Sequence, residues 1–389
     1  MELLPFFLIL LTSVLFSVIF RKFHLPWVLA LIIAGIAVGP SGLSVVSINP
    51  TLEFIAQIGL IFLMFMAGLE TKLSSFKENT ENIAWLAILN ALIPLAVGFG
   101  IGWLFGFSLI ASILLGIIFM SSSVAVIIPT LEANGLINTK LGRTIVSATI
   151  LEDIASLVLL SILLQTLDPI TVLPLPSFYL LLITLMIGFR YALPKLRGLV
   201  PKHRDEQDLF ESEVRIVFVM LLGVVVLFET LGLHPIIAGF FAGLVLSDSV
   251  TSELLIEKLR TISYGIFVPV FFVTVGMQTD ISVFTQGVGE LVLVVTVVLG
   301  SLLAKLGSGF LGGYFGGFKP ADSLTMGVAS IPQLSTTLAA VFTAVELGIF
   351  KNQLITAMVI LSIVTTLVAP ILMRFMHPST PGVFSRIRS

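Results

Sequence analysis

The chain is 389 residues long, 57 % of them apolar and 11 % charged, with a formal net charge of −2 and no cysteine. Soluble chains carry about 45–50 % apolar and about 25 % charged residues, so a water-soluble fold and intrinsic disorder are both excluded and an all-α polytopic membrane protein is predicted. Nucleic-acid binding lacks a basic face, and disulfides, zinc–thiolate sites and cysteine nucleophiles lack their residue. With four histidines in the chain, a histidine metal cluster is not expected, and neither is a cofactor.

The N-terminus, Met1-Glu2-Leu3-Leu4-Pro5, has an acid where a secretory signal would be basic, so the first apolar stretch is read as the first span. A spanning helix needs about 20 mostly apolar residues. Thirteen segments qualify: 3–20, 27–45, 52–71, 83–105, 108–131, 142–165, 171–192, 214–231, 234–248, 262–278, 288–314, 322–345 and 352–375. With the N-terminus outside and the C-terminus in the cytoplasm, 18 of the 20 basic residues fall on the inner side. Lys351 alone falls outside, and Lys305 lies within a span. The positive-inside rule supports that orientation. The longest polar segment, Arg190 to Arg215, reads as a cytoplasmic linker between two halves.

The halves resemble each other at an offset of 208 residues. Gly68, Thr71, Ser74 and Phe76 fall on Gly276, Thr279, Ser282 and Phe284, and Ala34-Gly35 on Ala242-Gly243. Matching spans lie seven apart, which inverts their direction, and inverted repeats are a mark of secondary transporters. The resulting organisation is a first span and loop (1–23), a first repeat (24–170), a linker span and cytoplasmic loop (171–215), a second repeat (216–378) and a cytoplasmic tail (379–389).

Spans five and twelve carry Pro129 and Pro332 well inside, so both helices are predicted to be interrupted. Beside these prolines lie Ser121-Ser122-Ser123 and Ser330-Ile331-Pro332-Gln333-Leu334-Ser335. Breaks at mid-membrane release backbone oxygens and bring helix ends to the midplane, where side-chain oxygens add ligands for a small hard cation. Span six carries Glu152 and Asp153 halfway along. A carboxylate there costs roughly 2.5–3.5 kcal/mol, so a pathway or a partner is expected. Lys305 on span eleven is the economical partner for one of the two acids. Adjacent helix positions differ by about 100°, so the other acid faces elsewhere, toward a water-filled cavity. Thr149 lies one turn before Asp153 and offers a further oxygen. Asn90 is read as a hydrogen-bonding residue between helices, and Gly307-Ser308-Gly309 and Gly312-Gly313 as close-packing runs.

A membrane carboxyl group can hold a proton or a cation, since burial favours its neutral form and a bound cation its ionised one. Competition for one site is enough for exchange. An intramembrane aspartyl protease would need acids converging from different helices, and a membrane serine protease a histidine at depth. His24, His203, His234 and His377 all lie in loops or at span ends. No phosphate-binding loop is present, which argues against an ATP-driven pump. The rival class is a channel-like or sensory membrane protein in which the acids serve only a structural ion pair.

Five motifs carry a family resemblance over nearly the whole chain. They are Phe65-Met66-Ala67-Gly68-Leu69-Glu70, Ser121-Ser122-Ser123-Val124-Ala125, Glu152-Asp153, Phe271-Phe272-Val273-Thr274-Val275-Gly276-Met277, and Lys305. Together they resemble the monovalent cation:proton antiporter-2 family of the sodium/proton exchanger superfamily. The resemblance implies thirteen helices in two inverted repeats with crossed broken helices, a moving core domain and a dimerisation domain, a homodimer, and elevator-type exchange of Na+ (or K+) for H+ across a prokaryotic inner membrane. It also implies that Asp153 is the shared cation and proton site, with Glu152 beside it, and that Lys305 pairs with Glu152; Thr149, Ser121, Ser122, Ser123 and Gln333 join the candidate site as the oxygen-bearing residues of the span and of the two breaks. Two departures stand out: glutamate at the first acidic position, and Pro332-Gln333-Leu334-Ser335 where many relatives carry Pro-Arg-Gly-Glu.

Overall fold

A backbone with no water to bond must satisfy its own polar groups, and this chain does so in helices. The computed structural model describes residues 3–22, 27–70, 80–167, 175–199, 212–231, 233–247, 250, 252–279, 288–350 and 352–377. No strand occurs among them. In chain order the helices are α1 (Leu3–Lys22), α2 (Trp27–Val38), α3 (Pro50–Glu70), α4 (Thr80–Leu104), α5 (Leu109–Met120), α6 (Val124–Ala133), α7 (Lys140–Leu167) and α8 (Leu175–Leu199). There follow α9 (Ser212–Thr230), α10 (Pro235–Leu246), α11 (Glu253–Ile262), a π turn (Ser263–Phe267), α12 (Val268–Met277), α13 (Val288–Phe315), α14 (Pro320–Ala329), α15 (Ser335–Glu346) and α16 (Asn352–Met376). Nine helical stretches among the described residues are long and apolar enough to cross a membrane.

Each predicted segment holds helix, with three instructive differences. The second ends at Val38, because Gly39-Pro40 stops it. The tenth begins at Glu253 rather than 262 and runs through the π turn into α12. Its first turns carry Glu253, Glu257, Lys258 and Arg260, which hid them from a search for apolar runs. The third concerns the fifth segment, whose interruption lies at Ser121–Ser123 and not at Pro129. Pro129 sits inside α6, and the Thr130 hydroxyl donates to the Val126 carbonyl across that turn. Residues 71–79, 200–211 and 280–287, which hold Thr71, Ser74, Phe76, the Lys202 to Asp208 run of the polar linker, Ser282 and Phe284, lie outside the described residues.

Two compact units interleave along the chain. One comprises Met1–Leu10, Ile48–Leu73 and Ser161–Thr274. Within it α3 packs on α10, and glycine sets the approach: a Cβ on Gly68 would fall on the Phe240 carbonyl, and one on Gly243 on the Phe65 carbonyl. The other comprises Leu11–Ser47, Ser74–Leu160 and Val275–Ser389. There a Cβ on Gly276 would fall on the Ile32 carbonyl and meet Gly35. These are the glycines that matched at the 208-residue offset, and Phe240 stands at the same offset from Ile32. Helix bounds recur with it, since Trp27–Val38 maps onto Pro235–Leu246.

The second unit also holds α4 to α6, most of α7, and α13 to α16. α13 approaches α14 through Gly309 against Gly327 and α4 through Gly312 against Leu86. Gly307 meets nothing, so it is not part of the packing run read from the sequence. An apolar cluster of Ile83, Leu86, Ile127, Leu131, Ile145, Met326 and Met373 fixes α4, α6, α7, α14 and α16 on one another.

Candidate functional site

The site grows from two broken helices. α5 is capped at its start by Ser108, whose hydroxyl accepts from the Ala111 N–H at 3.2 Å. It ends at Met120, after which Ser121 and Ser123 turn to extended backbone and α6 begins. α14 starts on Pro320, at a position where a missing N–H costs nothing. It ends at Ala329, and Pro332 lies in the break before α15.

The two breaks meet and are stitched together. The Ser123 N–H donates to the Pro332 carbonyl at 2.7 Å, and the Ser122 hydroxyl lies 3.1 Å from the Ser330 carbonyl. Ser122 and Ser330 are themselves 208 residues apart. The Ser121 and Thr337 hydroxyls are bonded at 3.1 Å. Gln333 spans the junction: its Nε2 donates to the carbonyls of Phe119 at 2.7 Å and Ser121 at 3.2 Å, while its Oε1 accepts from Ser301 Oγ at 2.9 Å. Its own N–H donates to Thr365 Oγ1. Orphan carbonyls at the end of α5 are thereby satisfied by a side chain.

α7 and α13 bring charge to this junction. Lys305 Nζ donates to Glu152 Oε2 at 3.1 Å, with the lysine 0 % and the glutamate 1 % exposed. The ammonium also reaches the Met120 carbonyl at 2.6 Å, Ser122 Oγ at 2.8 Å and the Asn90 carbonyl at 3.3 Å. A cation at the carbonyl end of α5 is favoured by the helix dipole as well. Glu152 is enclosed by donors. Ser122 Oγ lies 2.9 Å from Oε2, and Asn90 Nδ2 donates to Oε1 at 2.8 Å. Asn90 in turn accepts the Ser308 hydroxyl proton at 2.6 Å.

Asp153 differs in its partners. It is 8 % exposed, and Oδ1 has no hydrogen-bond partner among the described residues. Its carboxylate is approached by the Thr336 side chain, in the first turn of α15, and by the Ser122 amide, just ahead of α6. Ser123 Oγ is also buried without a partner.

Comparison with known proteins gives the family. The family model described as sodium/hydrogen exchanger, transmembrane, matches residues 7–376. The chain belongs to that family. The exchanger's sequence is 33 % identical to the probable Na+/H+ antiporter 3 of Methanocaldococcus jannaschii over 377 residues, covering 95 % of each chain. It is 28 % identical to the Na+/H+-K+ antiporter GerN of Bacillus cereus, over 95 % of this chain and 94 % of that one. The fold resembles the sodium proton antiporter MjNhaP1 of M. jannaschii at pH 8, with a TM-score of 0.70 and 19 % identity over 96 % and 97 % of the two chains. The family is one of transporters.

Of the residues singled out from the exchanger's sequence, Glu152, Ser121, Ser122, Ser123, Gln333 and Lys305 are brought together by the hydrogen bonds above. Asp153 adjoins Ser122, and Thr149 is buried one turn before it on α7. Ser308 was read only as part of a packing run, and Ser301, Thr336, Thr337 and Thr365 carried no signal of their own. Hydroxyls are common in membrane helices, where bonding back to their own helix is the default. Only tertiary placement distinguishes these. Glu70 and Asp280 stand near span ends in the sequence, and their side chains lie outside the described residues.

Proposed function

We propose that this chain is a secondary-active antiporter exchanging Na+ for H+, with Asp153 as the site that holds either one. The observation that supports it is the contrast between two neighbouring acids. Glu152 accepts from Lys305, Ser122 and Asn90, whereas Asp153 is buried with one oxygen unpartnered. An unsatisfied buried carboxylate is costly, and either a proton or a desolvated cation removes that cost. Thr149, Ser121, Ser122, Ser123 and Gln333 supply or brace the oxygens around a cation bound at Asp153. Lys305 with Glu152 forms the fixed charge pair behind it. Exchange follows if the loaded forms reorient and the empty charged form does not.

The same reading places thirteen spans in a prokaryotic inner membrane, with the N-terminus outside and the C-terminus in the cytoplasm. Repeats at 24–170 and 216–378 flank the linker at 171–215, with 1–23 and 379–389 at the ends. Recurrence of helix bounds and glycine crossings at one offset supports the repeat. Reorientation is of the elevator type, in a homodimer whose moving core carries the crossed breaks. K+ in place of Na+ is the alternative on this scaffold, favoured by the likeness to the B. cereus Na+/H+-K+ antiporter.

The test uses purified protein in sealed liposomes under a proton gradient, with internal pH and membrane current recorded after sodium or potassium is added. Saturable, cation-dependent proton movement that vanishes in Asp153→Asn is the expected result. Downhill current without obligatory proton movement would replace the antiporter with a channel. Flux that survives Asp153→Asn would remove Asp153 from the site.

A further inference from the structure

Glu152 and Lys305 are held by more than each other. Asn90, on α4, touches both: its amide donates to Glu152 Oε1 at 2.8 Å, and its main-chain carbonyl lies 3.3 Å from Lys305 Nζ. The amide has one workable orientation. Ser308 Oγ lies 2.6 Å from Asn90 Oδ1, and its hydroxyl proton fills that oxygen. Rotating the amide would set an oxygen against the glutamate and lose that bond, while the serine hydroxyl, which also lies 3.2 Å from the Lys305 carbonyl, would turn to accept from the nitrogen. The glutamate on α7 therefore sets the orientation of the asparagine on α4, and the serine on α13 fills the amide oxygen that this leaves. All three side chains are buried, and Asn90 and Ser308 are 0 % exposed.

The position of the lysine gives this chain of contacts its consequence. Lys305 Nζ lies against Glu152, and the neighbouring Asp153 lies within range of its charge. An ammonium that reached Asp153 would compete with sodium there. Glu152 is the anion that draws it away, and Asn90 is the group that fixes Glu152 in the place to do so.

We infer that Asn90, braced by Ser308, is a positioning residue for cation exchange: it holds Glu152 on Lys305 and so keeps the lysine off the Asp153 site. The inference rests on the proposed antiport at Asp153. Its effect falls on apparent sodium affinity and not on the reorientation step. A hydrogen bond to a charged group, at the lower end of its usual worth, corresponds to about tenfold in binding.

The experiment titrates sodium against proton flux in proteoliposomes for wild type, Asn90→Ala, Ser308→Ala and Ser308→Thr. Sodium KM is expected to rise about tenfold in Asn90→Ala, with the saturated rate within about twofold. Ser308→Ala is expected to move KM in the same direction by a smaller factor, and Ser308→Thr to restore it, since the hydroxyl is retained. In a Lys305→Met background, Asn90→Ala should leave KM where Lys305→Met alone puts it, because the asparagine acts through the lysine. Ser308→Ala carries the test if Asn90→Ala fails to fold. An unchanged KM in folded variants, a loss confined to the saturated rate, or additivity with Lys305→Met each overturns the inference. Absence of sodium-dependent proton flux in wild type is a different failure, which overturns the antiport reading itself.

Discussion

The glycine crossings and the polar centre obey opposite rules. Gly68 against Phe240 and Gly276 against Ile32 repeat one contact at one offset. The polar centre does not repeat. At the same offset, Glu152 and Asp153 correspond to Ile360 and Leu361, Lys305 to Val97, Asn90 to Val298 and Gln333 to Ala125. Ser122 and Ser330 are the exception, and they are bonded to each other where the breaks meet. Close helix approach depends on small residues in both copies, because both must pack. Buried charge is expensive, so it is present once, where it has a use. A duplicated scaffold with unduplicated chemistry is what this chain shows.

The largest effect should come from the unduplicated part. Asp153→Asn is isosteric and removes the only acid of the centre that lacks a full set of partners. Exchange is expected to disappear altogether while the thermal unfolding profile stays at least as high as wild type, since an unsatisfied buried charge is lost. A variant that unfolds earlier would mean the carboxylate is structural. Next comes Lys305→Met, which strands Glu152 as a buried anion. Breaking a buried pair from one side costs about 3–5 kcal/mol, and neutralising the other partner recovers much of it. Thermal unfolding of Lys305→Met, Glu152→Gln and the double variant checks this. Independent, additive losses would show that the pair is not coupled.

Much of this contrast was legible in the sequence, and the limits have physical causes. Long apolar runs gave the helices, because membrane spanning leaves no other choice. The glycines at the 208-residue offset were visible since a Cβ at either crossing would strike a carbonyl. That Lys305 answers one of two adjacent acids followed from the cost of burying it alone. Choosing Glu152 over Asp153 from the residues alone was not possible, because the choice depends on a 3.1 Å contact between helices over 150 residues apart in sequence. The first break was misplaced at Pro129, where the helix in fact runs on. Three consecutive serines offer the backbone side-chain bonds outside the helix, and here they prevail over proline as the breaker. Ser308 stayed hidden inside a glycine run for the same reason that Gly307 was over-read: neighbours on a helix face different ways.

The duplicated part should give a matched pair of smaller effects. Gly68→Val and Gly276→Val each drive a branched side chain into a carbonyl of the facing helix. Overpacking of this kind costs typically about 1–3 kcal/mol. Equal losses of thermal stability in the two variants would confirm that both crossings bear the same load. A loss at one and none at the other would break the symmetry drawn above.

The smallest effect sharpens the border between the two regions, because it falls inside one break. Ser121 and Ser122 are neighbours, yet Ser121 Oγ meets Thr337 Oγ1 and its own helix at Ile118, whereas Ser122 Oγ meets Glu152, Lys305 and Ser330. Thr337→Val removes one neutral partner with little change of shape. Ser121 keeps its bond to the Ile118 carbonyl at 3.1 Å, so the cost should sit near the low end of about 0.5–1.5 kcal/mol. Ser122→Ala removes a group shared by both members of a buried ion pair, and a bond to a charged group is worth about 1.5–3 kcal/mol. Sodium KM should move in Ser122→Ala and stay within about twofold in Thr337→Val, in step with those energies. Equal shifts in the two would mean that the breaks and the charge pair form one continuous network, in which the stitching of the scaffold cannot be separated from the chemistry it supports.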